Sequence, residues 1–271
     1  MSIEANVVYG MYSGLALLMD IHRPERPNGY GVIHISGSGW SAPLGLDAKP
    51  LKESGHVKIE GGPLVAAGYT VFSINHRAAP RFQYPAAVED AQRAVRFIRH
   101  HARDYGINPD RIGGIGGSSG GHLVSMLGVL DGRGDPDDES PVNRESARVQ
   151  CVVARATPST FLEGGRSGPS NFLGVSIGKD THPQSIEYRR AAAASPVTHV
   201  SADSPPFLLL HGDQDEAVPF ERSERLAEAL RKAGVEVKLI RIPDAGHGPG
   251  AVDKPEYASE IVGWFDAHLK R

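Results

Sequence analysis

One short stretch carries the pattern best suited to nucleophilic chemistry. Residues 112–123 read Ile-Gly-Gly-Ile-Gly-Gly-Ser-Ser-Gly-Gly-His-Leu, which contains G-x-S-x-G in two overlapping registers. In this pattern a serine lies on a strained turn between a strand and a helix, with its hydroxyl exposed above the sheet. The helix that follows directs its free N–H groups and positive dipole end at the serine, which favours an anionic intermediate there. The stretch therefore predicts attack by a serine hydroxyl.

The two registers make either Ser118 or Ser119 the nucleophile. We prefer Ser118, because this register leaves Gly120 and Gly121 both on the helix side, where close packing of helix against strand requires small residues. Taken alone, the stretch also fits a glycine-rich turn that binds a phosphate or only packs. The partners of the serine must therefore be found elsewhere in the chain.

A serine hydroxyl needs a base within hydrogen-bond reach, and the base needs an acid that orients it. Asp215 follows a predicted strand over 206–210, and His247 follows a predicted strand over 235–242. Both residues therefore lie at carboxyl ends of strands, where open α/β sheets place their sites. We predict Ser118 as nucleophile, His247 as base and Asp215 as the orienting acid.

Other residues compete for two of these roles. Asp213 is an alternative to Asp215, and Asp244 is a more distant one. His211 comes directly before the same acidic loop, and we interpret it as a structural hydrogen-bonding residue of the turn rather than the base.

A second glycine-serine turn follows the predicted strand over 31–35. It reads Ser-Gly-Ser-Gly-Trp over residues 36–40 and exposes main-chain N–H groups at the end of a buried strand. Fixed donors of this kind stabilise a developing negative charge. We predict an oxyanion hole formed by the N–H groups of Ser38 and Gly39 together with that of Ser119.

Two irregular segments are predicted to enclose the substrate. A long loop over about 41–63 leaves the predicted oxyanion turn and is expected to wall the pocket, and a loop-rich cap or lid is expected over about 157–190. Trp40, Arg155 and His122 are candidates for the substrate pocket. Arg155 is unusual at the end of a buried strand, and it either lines the pocket or pairs with an acid.

Strands and helices alternate along the chain, which predicts right-handed βαβ units and a mostly parallel, doubly wound α/β sheet. We expect a single domain over residues 1–271. The predicted strands are a hairpin over 7–22 and single strands over 31–35, 69–74, 111–115, 149–156, 206–210 and 235–242. One predicted helix ends at residue 68, another follows the elbow, and three more span 85–105, 221–233 and 257–269.

The composition is that of an ordinary soluble globular protein, with 40% hydrophobic and 23% charged residues in 271. A net charge of −3 argues against nucleic acid or an anionic membrane as a partner. No apolar run approaches the roughly 18 residues of a membrane span. The single cysteine, Cys151, rules out an internal disulfide, and with no visible secretory signal we expect a cytoplasmic protein.

These motifs resemble those of α/β-hydrolase-fold esterases and lipases, in particular the hormone-sensitive-lipase-like and carbohydrate-esterase-like branch. The Gly-Gly-His-Leu run at 120–123 is similar to the residues that follow the family's elbow, and residues 73–80 are similar to its N-Y-R-L-A-P segment. Residues 211–215 resemble its acid loop, and this alignment favours Asp215 over Asp213. The resemblance covers about residues 7–268.

The chain departs from the family at two points. Ser36 and Ser38 stand where the family's oxyanion turn, of the HGGG type, has its histidine and a glycine, and Arg-Ala-Thr-Pro follows the strand at 155–158. These departures bear on the oxyanion hole and on substrate preference.

The resemblance implies a serine carboxylic-ester hydrolase that acts on short-chain acyl esters, with acetyl or aromatic acyl esters of carbohydrates as candidates. It implies neither a metal nor an organic cofactor, and a small ester as the partner. Two alternatives stay open: an arylformamidase, amidase or peptidase with the same triad, and an inactive α/β-hydrolase that serves as a ligand receptor. The sequence leaves the oligomeric state open, a homodimer included.

Overall fold

Eight strands form one sheet in the computed structural model, which describes residues 1–162, 170–178 and 180–270. The spatial order is β1-β2-β4-β3-β5-β6-β7-β8. β1 pairs antiparallel with β2 and β2 with β4, while all other neighbours are parallel. The strands are β1 (Ser2–Tyr12), β2 (Leu15–Arg23), β3 (Gly31–Ile35), β4 (Thr70–Ile74), β5 (Ile112–Gly117), β6 (Val152–Arg155), β7 (Phe207–Gly212) and β8 (Val237–Ile242).

Helices cover both faces of this sheet. They are α1 (Gly62–Ala66), α2 (Ala86–His100), α3 (Ala102–Tyr105), α4 (Ser119–Val129), α5 (Ser170–Leu173), α6 (Ile186–Ala193), α7 (Glu221–Lys232) and α8 (Pro255–Leu269). One hydrophobic cluster packs α2, α4 and α7 on one face, and a second packs α1 and α8 on the other. The predicted α/β fold with a mostly parallel sheet is therefore confirmed.

Side-chain alternation along the strands explains the two clusters. In β3 Ile33 belongs to the cluster with α4, whereas Val32 belongs to the cluster with α8. Successive residues of a strand point to opposite faces, so a strand covered on both faces is apolar throughout. His34 follows the parity of Val32 and is fully buried on the α8 face.

The segment predicted as an irregular loop over 41–63 is helical in its second half. It contains a 3-10 turn at Leu51–Glu53 and a π-helical turn at Val57–Gly61 that leads into α1. Hydrophobic periodicity did not reveal these turns because their buried residues include charged ones: Lys52 and Glu60 are each 1% exposed. That part of the loop prediction is wrong.

Smaller differences have local causes. The hairpin strands are longer than expected, because the turn consists of Ser13 and Gly14 alone, both with positive φ. β6 is shorter than the predicted 149–156, and the Ile112 N–H donates to the side chain of Gln150 at 2.8 Å instead of to a backbone carbonyl. The expected cap over 157–190 includes residues 163–169 and 179, which lie outside the described residues, and its extent stays a prediction.

Candidate active site

Three side chains predicted to act together lie together at the carboxyl ends of the strands. His247 Nε2 is 2.8 Å from the Ser118 hydroxyl, and His247 Nδ1 is 2.7 Å from Asp215 Oδ2. Ser118 follows β5, Asp215 lies in the loop after β7 and His247 in the loop after β8. The three groups form one hydrogen-bonded chain of carboxylate, imidazole and hydroxyl.

The elbow gives Ser118 its exposed position. Its φ of 54° and ψ of −123° lie outside the ordinary regions for a residue with a side chain, and α4 begins at the next residue. A Cβ on Gly116 would lie 2.6 Å from the Ile35 carbonyl oxygen, and a Cβ on Gly120 would meet the same oxygen. The flanking positions are therefore glycine for steric reasons.

Asp215 is held by four donors. Its Oδ1 accepts hydrogen bonds from the N–H groups of Ala217 and Val218 at 2.9 and 2.8 Å, and its Oδ2 faces both His247 and, at 3.2 Å, His211 Nε2. Burial acts to raise the pKa of this carboxyl, but the hydrogen bonds from His211, His247 and Val218 outweigh it and lower the pKa. Asp215 is therefore ionised at neutral pH.

The competing residues are engaged elsewhere. Asp213 accepts hydrogen bonds from Arg241 Nε at 3.1 Å and from the Asp244 N–H at 2.9 Å. His211 is fully buried, with its Nδ1 2.6 Å from the Ser223 hydroxyl. Ser119 is also fully buried. Neither Asp213 nor the Ser119 hydroxyl joins the chain of Ser118, His247 and Asp215 in the described structure, and His211 contacts it only at Asp215 Oδ2, on the acid and not at the serine.

The predicted oxyanion turn differs from expectation in one respect. The Ser38 N–H, expected to face the oxyanion, donates to the Ser119 hydroxyl at 2.8 Å. Gly39 is exposed with a φ of 64°. The Ser119 N–H lies at the first residue of α4, where a helix offers it no acceptor. Of the three predicted donors, this one matches the expectation best.

The side chain of His122 does not line an open pocket, contrary to expectation. It is fully buried, with Nδ1 accepting from the Trp40 indole N–H at 3.0 Å and Nε2 donating to the Ala194 carbonyl at 2.7 Å. Burial lowers the pKa of His122 to about 4, so the imidazole is neutral. Trp40 is 6% exposed and stacks on Phe172 at 4.6 Å. The Trp40 side chain therefore joins the end of the oxyanion turn to the buried His122 and Phe172, and offers little surface to a substrate.

Arg155 pairs with an acid, the second of the two expectations for it. Its Nε donates to Glu60 Oε1 at 2.9 Å, and its Nη1 donates to the main-chain carbonyl of His247 at 2.7 Å. Arg155 is 4% exposed, so it offers little surface to a substrate. Sequence reasoning missed Glu60, because it lies in the segment without periodicity.

An open groove of about 450 Å³ begins at the oxyanion turn. Three serine hydroxyls and Lys49 interrupt an otherwise apolar lining. The groove is lined by Ser38, Ser41, Ala42, Pro43, Lys49, Pro50, Leu51 and Ser54. All of these residues except Ser38 lie in the segment over 41–63, whose role as a wall of the substrate pocket stays a prediction. Within residues 1–162, 170–178 and 180–270 there is no group of three or more His, Cys, Asp or Glu arranged to hold a metal.

Comparison with known proteins identifies the family. A family model described as BD-FAE matches residues 19–230. The chain belongs to the BD-FAE family. This BD-FAE member has the α/β-hydrolase fold, and it resembles known esterases in both sequence and structure.

Two solved structures and one curated sequence illustrate the likeness. A truncated carbohydrate esterase from gut microbiota has a TM-score of 0.83 at 28% identity, covering 100% of this chain and 97% of that one. An acetyl ester-xyloside bifunctional hydrolase from Caldicellulosiruptor lactoaceticus has a TM-score of 0.79 at 25% identity, covering 97% and 95%. The probable carboxylic ester hydrolase LipM of Mycobacterium tuberculosis is 29% identical over 254 residues, which is 90% of this chain and 56% of LipM.

The chain spans about half the length of the curated relatives it matches. No helix among the described residues is both long enough and apolar enough to cross a lipid bilayer.

Proposed function

We propose that this BD-FAE member is a serine carboxylic-ester hydrolase. One observation carries the proposal: Asp215, His247 and Ser118 are joined by hydrogen bonds of 2.7 and 2.8 Å, and the serine has the positive φ of an elbow. Nucleophile, base and orienting acid in this arrangement are the requirements of acyl transfer by serine.

The reaction follows from these contacts. The Ser118 oxygen attacks the ester carbonyl while His247 Nε2 accepts its proton, and the imidazolium then protonates the departing alcohol. Asp215 holds the Nδ1–H and stabilises the imidazolium charge. Water, deprotonated by the same imidazole, releases the acid from the acyl-enzyme and restores the serine.

We assign the oxyanion to the Ser119 N–H and to the turn that holds Ser38 and Gly39. For the Ser38 N–H to take part, it must exchange the Ser119 hydroxyl for the developing oxyanion, since that hydroxyl accepts it at 2.8 Å. In this exchange a charged acceptor, to which the N–H group bonds more strongly, replaces a neutral hydroxyl. Loss of one such donor reduces transition-state stabilisation by roughly 3 to 4 kcal/mol in comparable sites.

For substrate we propose short acyl esters, with acetyl or aromatic acyl esters of carbohydrates as the leading class. Support comes from the carbohydrate esterase and the acetyl ester-xyloside hydrolase among similar structures. It also comes from the groove beside Ser38, where the hydroxyls of Ser41 and Ser54 and the amine of Lys49 are able to hydrogen-bond to a sugar.

The test is a panel of p-nitrophenyl esters of increasing acyl length, assayed with Ser118→Ala and Ser119→Ala. We expect Ser118→Ala to lower kcat by about 10⁴-fold or more. Ser119→Ala keeps its main-chain N–H and frees that of Ser38, so we expect it to retain activity within about tenfold. A fluorophosphonate probe should label wild type and Ser119→Ala, but not Ser118→Ala.

Four outcomes would overturn parts of the proposal. Activity that survives Ser118→Ala but disappears in Ser119→Ala would move the nucleophile to Ser119. Full turnover in both variants would exclude a serine mechanism. A wild-type protein inert to esters and to the probe would favour the receptor alternative, and faster cleavage of the matching p-nitroanilide would favour an amidase.

A further inference from the structure

A buried ion pair lies directly beneath the candidate active site. Glu60 and Arg155 are joined at 2.9 Å, with side chains only 2% and 5% exposed. They lie against Gly117, the residue before the elbow serine: a Cβ there would meet Arg155 Nη2 and lie 2.6 Å from Glu60 Oε1. The pair therefore fills the space that a side chain at position 117 would need.

The guanidinium connects the sheet to the loop that carries His247. Arg155 is the last residue of β6, a central strand, and its Nη1 donates to the His247 carbonyl at 2.7 Å. The loop over 243–248 is mostly exposed. It is also joined to the acid loop, by the Gln214 N–H donating to the Ala245 carbonyl and by the Asp244 N–H donating to Asp213 Oδ1, each at 2.9 Å. The Arg155 bond is made at the residue whose imidazole must reach Ser118.

Glu60 is itself fixed, so the guanidinium has a rigid partner. Its Oε2 lies 3.0 Å from His34 Nε2, and His34 Nδ1 lies 3.3 Å from the Ser73 hydroxyl in β4. His56 Nδ1 is 3.9 Å from the other oxygen of Glu60. Burial raises the pKa of Glu60, but His34 and Arg155 outweigh it and the pKa falls to about 2, so the pair stays ionised.

We propose that Arg155, held in place by Glu60, is a positioning residue that sets the main-chain position of His247 and so the distance between its imidazole and Ser118. The inference rests on the proposed function, because it assigns His247 as the base. Arg155 fits this task better than lysine would, because its fork directs Nε at Glu60 and Nη1 at the His247 carbonyl at once, whereas one ammonium group lacks that geometry.

A purely structural ion pair would not require the bond to His247. Arg155 Nη2 is buried and has no hydrogen-bond partner among the described residues, so the guanidinium is not placed to satisfy all its donors. It is placed so that one donor reaches Glu60 and another reaches the loop. Displacing a catalytic group by about 1 Å can cost roughly 100-fold in rate, which is the effect such a bond would prevent.

The experiment compares Arg155→Lys with a matched control, Arg77→Lys. Arg77 forms a similarly buried pair with Asp90, at 2.8 Å and with 7% and 2% exposure, and touches neither Ser118 nor His247. We expect Arg155→Lys to lower kcat for p-nitrophenyl acetate by about 10- to 100-fold with KM within about threefold. The rate of fluorophosphonate labelling should fall in parallel. Arg77→Lys should lower the melting temperature comparably and leave kcat within about twofold.

A second variant covers the case in which Arg155→Lys fails to fold. Glu60→Gln combined with Arg155→Met removes both charges and leaves no unpaired buried ion. This double variant should fold and still show the loss of kcat at unchanged KM.

The outcomes distinguish the inference from the proposed function. If wild type is active and Arg155→Lys or the double variant equals it in kcat, the positioning inference is overturned while the esterase proposal stands. A rise in KM alone would overturn it too, because that result indicates a substrate contact. If wild type neither hydrolyses esters nor reacts with the probe, both proposals fail.

Discussion

Replacing Asp215 by asparagine tests the arrangement around the base most directly. Asp215 Oδ1 accepts two main-chain N–H groups, from Ala217 and Val218, at 2.9 and 2.8 Å. In Asp215→Asn only the amide oxygen can accept those two bonds, so it must take the Oδ1 position. The amide NH₂ is then forced into the Oδ2 position, 2.7 Å from His247 Nδ1.

An NH₂ group facing Nδ1 selects the wrong tautomer of His247. The imidazole must then accept at Nδ1 and carry its proton on Nε2, where it can no longer accept the proton of Ser118. In a comparable triad this change lowers kcat by about 10⁴-fold with the geometry intact. We expect a similar loss, which corresponds to about 5 kcal/mol in the activation barrier.

The assay is kcat for p-nitrophenyl acetate at pH 7.5, with folding checked by circular dichroism. Asp213→Asn is the matched control, since it makes the same chemical change two residues away, at a carboxylate bound to Arg241 and the Asp244 N–H. We expect that control to stay within about threefold of wild type. Asp215→Asn retaining more than a tenth of wild-type kcat would refute the reasoning, and a collapse of Asp213→Asn instead would make Asp213 the acid.

Three further results are expected. Gly120→Ala should lower the free energy of unfolding, measured in urea, by more than about 2 kcal/mol, because its Cβ would meet the Ile35 carbonyl oxygen. Gly263→Ala, where α8 leaves open space for a Cβ, should raise the free energy of unfolding by about 0.5 to 1 kcal/mol. The pKa of Glu60 falls from 4.5 to about 2 on folding, so its contribution to stability is complete above about pH 5 and declines as pH falls toward 2. Between pH 5 and pH 3, the free energy of unfolding of wild type should therefore fall by on the order of 2 kcal/mol more than that of Glu60→Gln. The fully buried Cys151, whose pKa burial raises, should react with a thiol reagent only after unfolding, and rapid reaction of the native protein would contradict the structure.

Local signals explain what could be predicted from the sequence. The elbow is recognisable because its requirements fall within five consecutive residues, from Gly116 to Gly120. Asp215 and His247 could be proposed because each follows a buried strand, and carboxyl ends of parallel strands share one edge of a sheet. Their distance from Ser118 in the chain did not matter once the sheet was predicted.

Long-range polar contacts explain what could not be predicted. The bond between the Ser38 N–H and the Ser119 hydroxyl joins residues 81 apart, and the bond between Glu60 and Arg155 joins residues 95 apart. Neither pairing leaves a periodic trace in the sequence. Glu60 was missed altogether, because a buried carboxylate on a one-turn helix looks like a solvated one until its partners are known.

Positions 116 and 117 require glycine for different reasons, and the reason at position 117 is the ion pair beneath the elbow. A Cβ at Gly116 would meet Ile35 and the start of α4, which is a consequence of the elbow itself. Gly117 occupies the first variable position of G-x-S-x-G, where the turn makes no such demand. A Cβ there would meet Arg155 and Glu60 on the opposite face of the sheet. The glycine at 117 is therefore explained by the same guanidinium that holds the carbonyl of His247, so the nucleophile and its base are braced by one buried group.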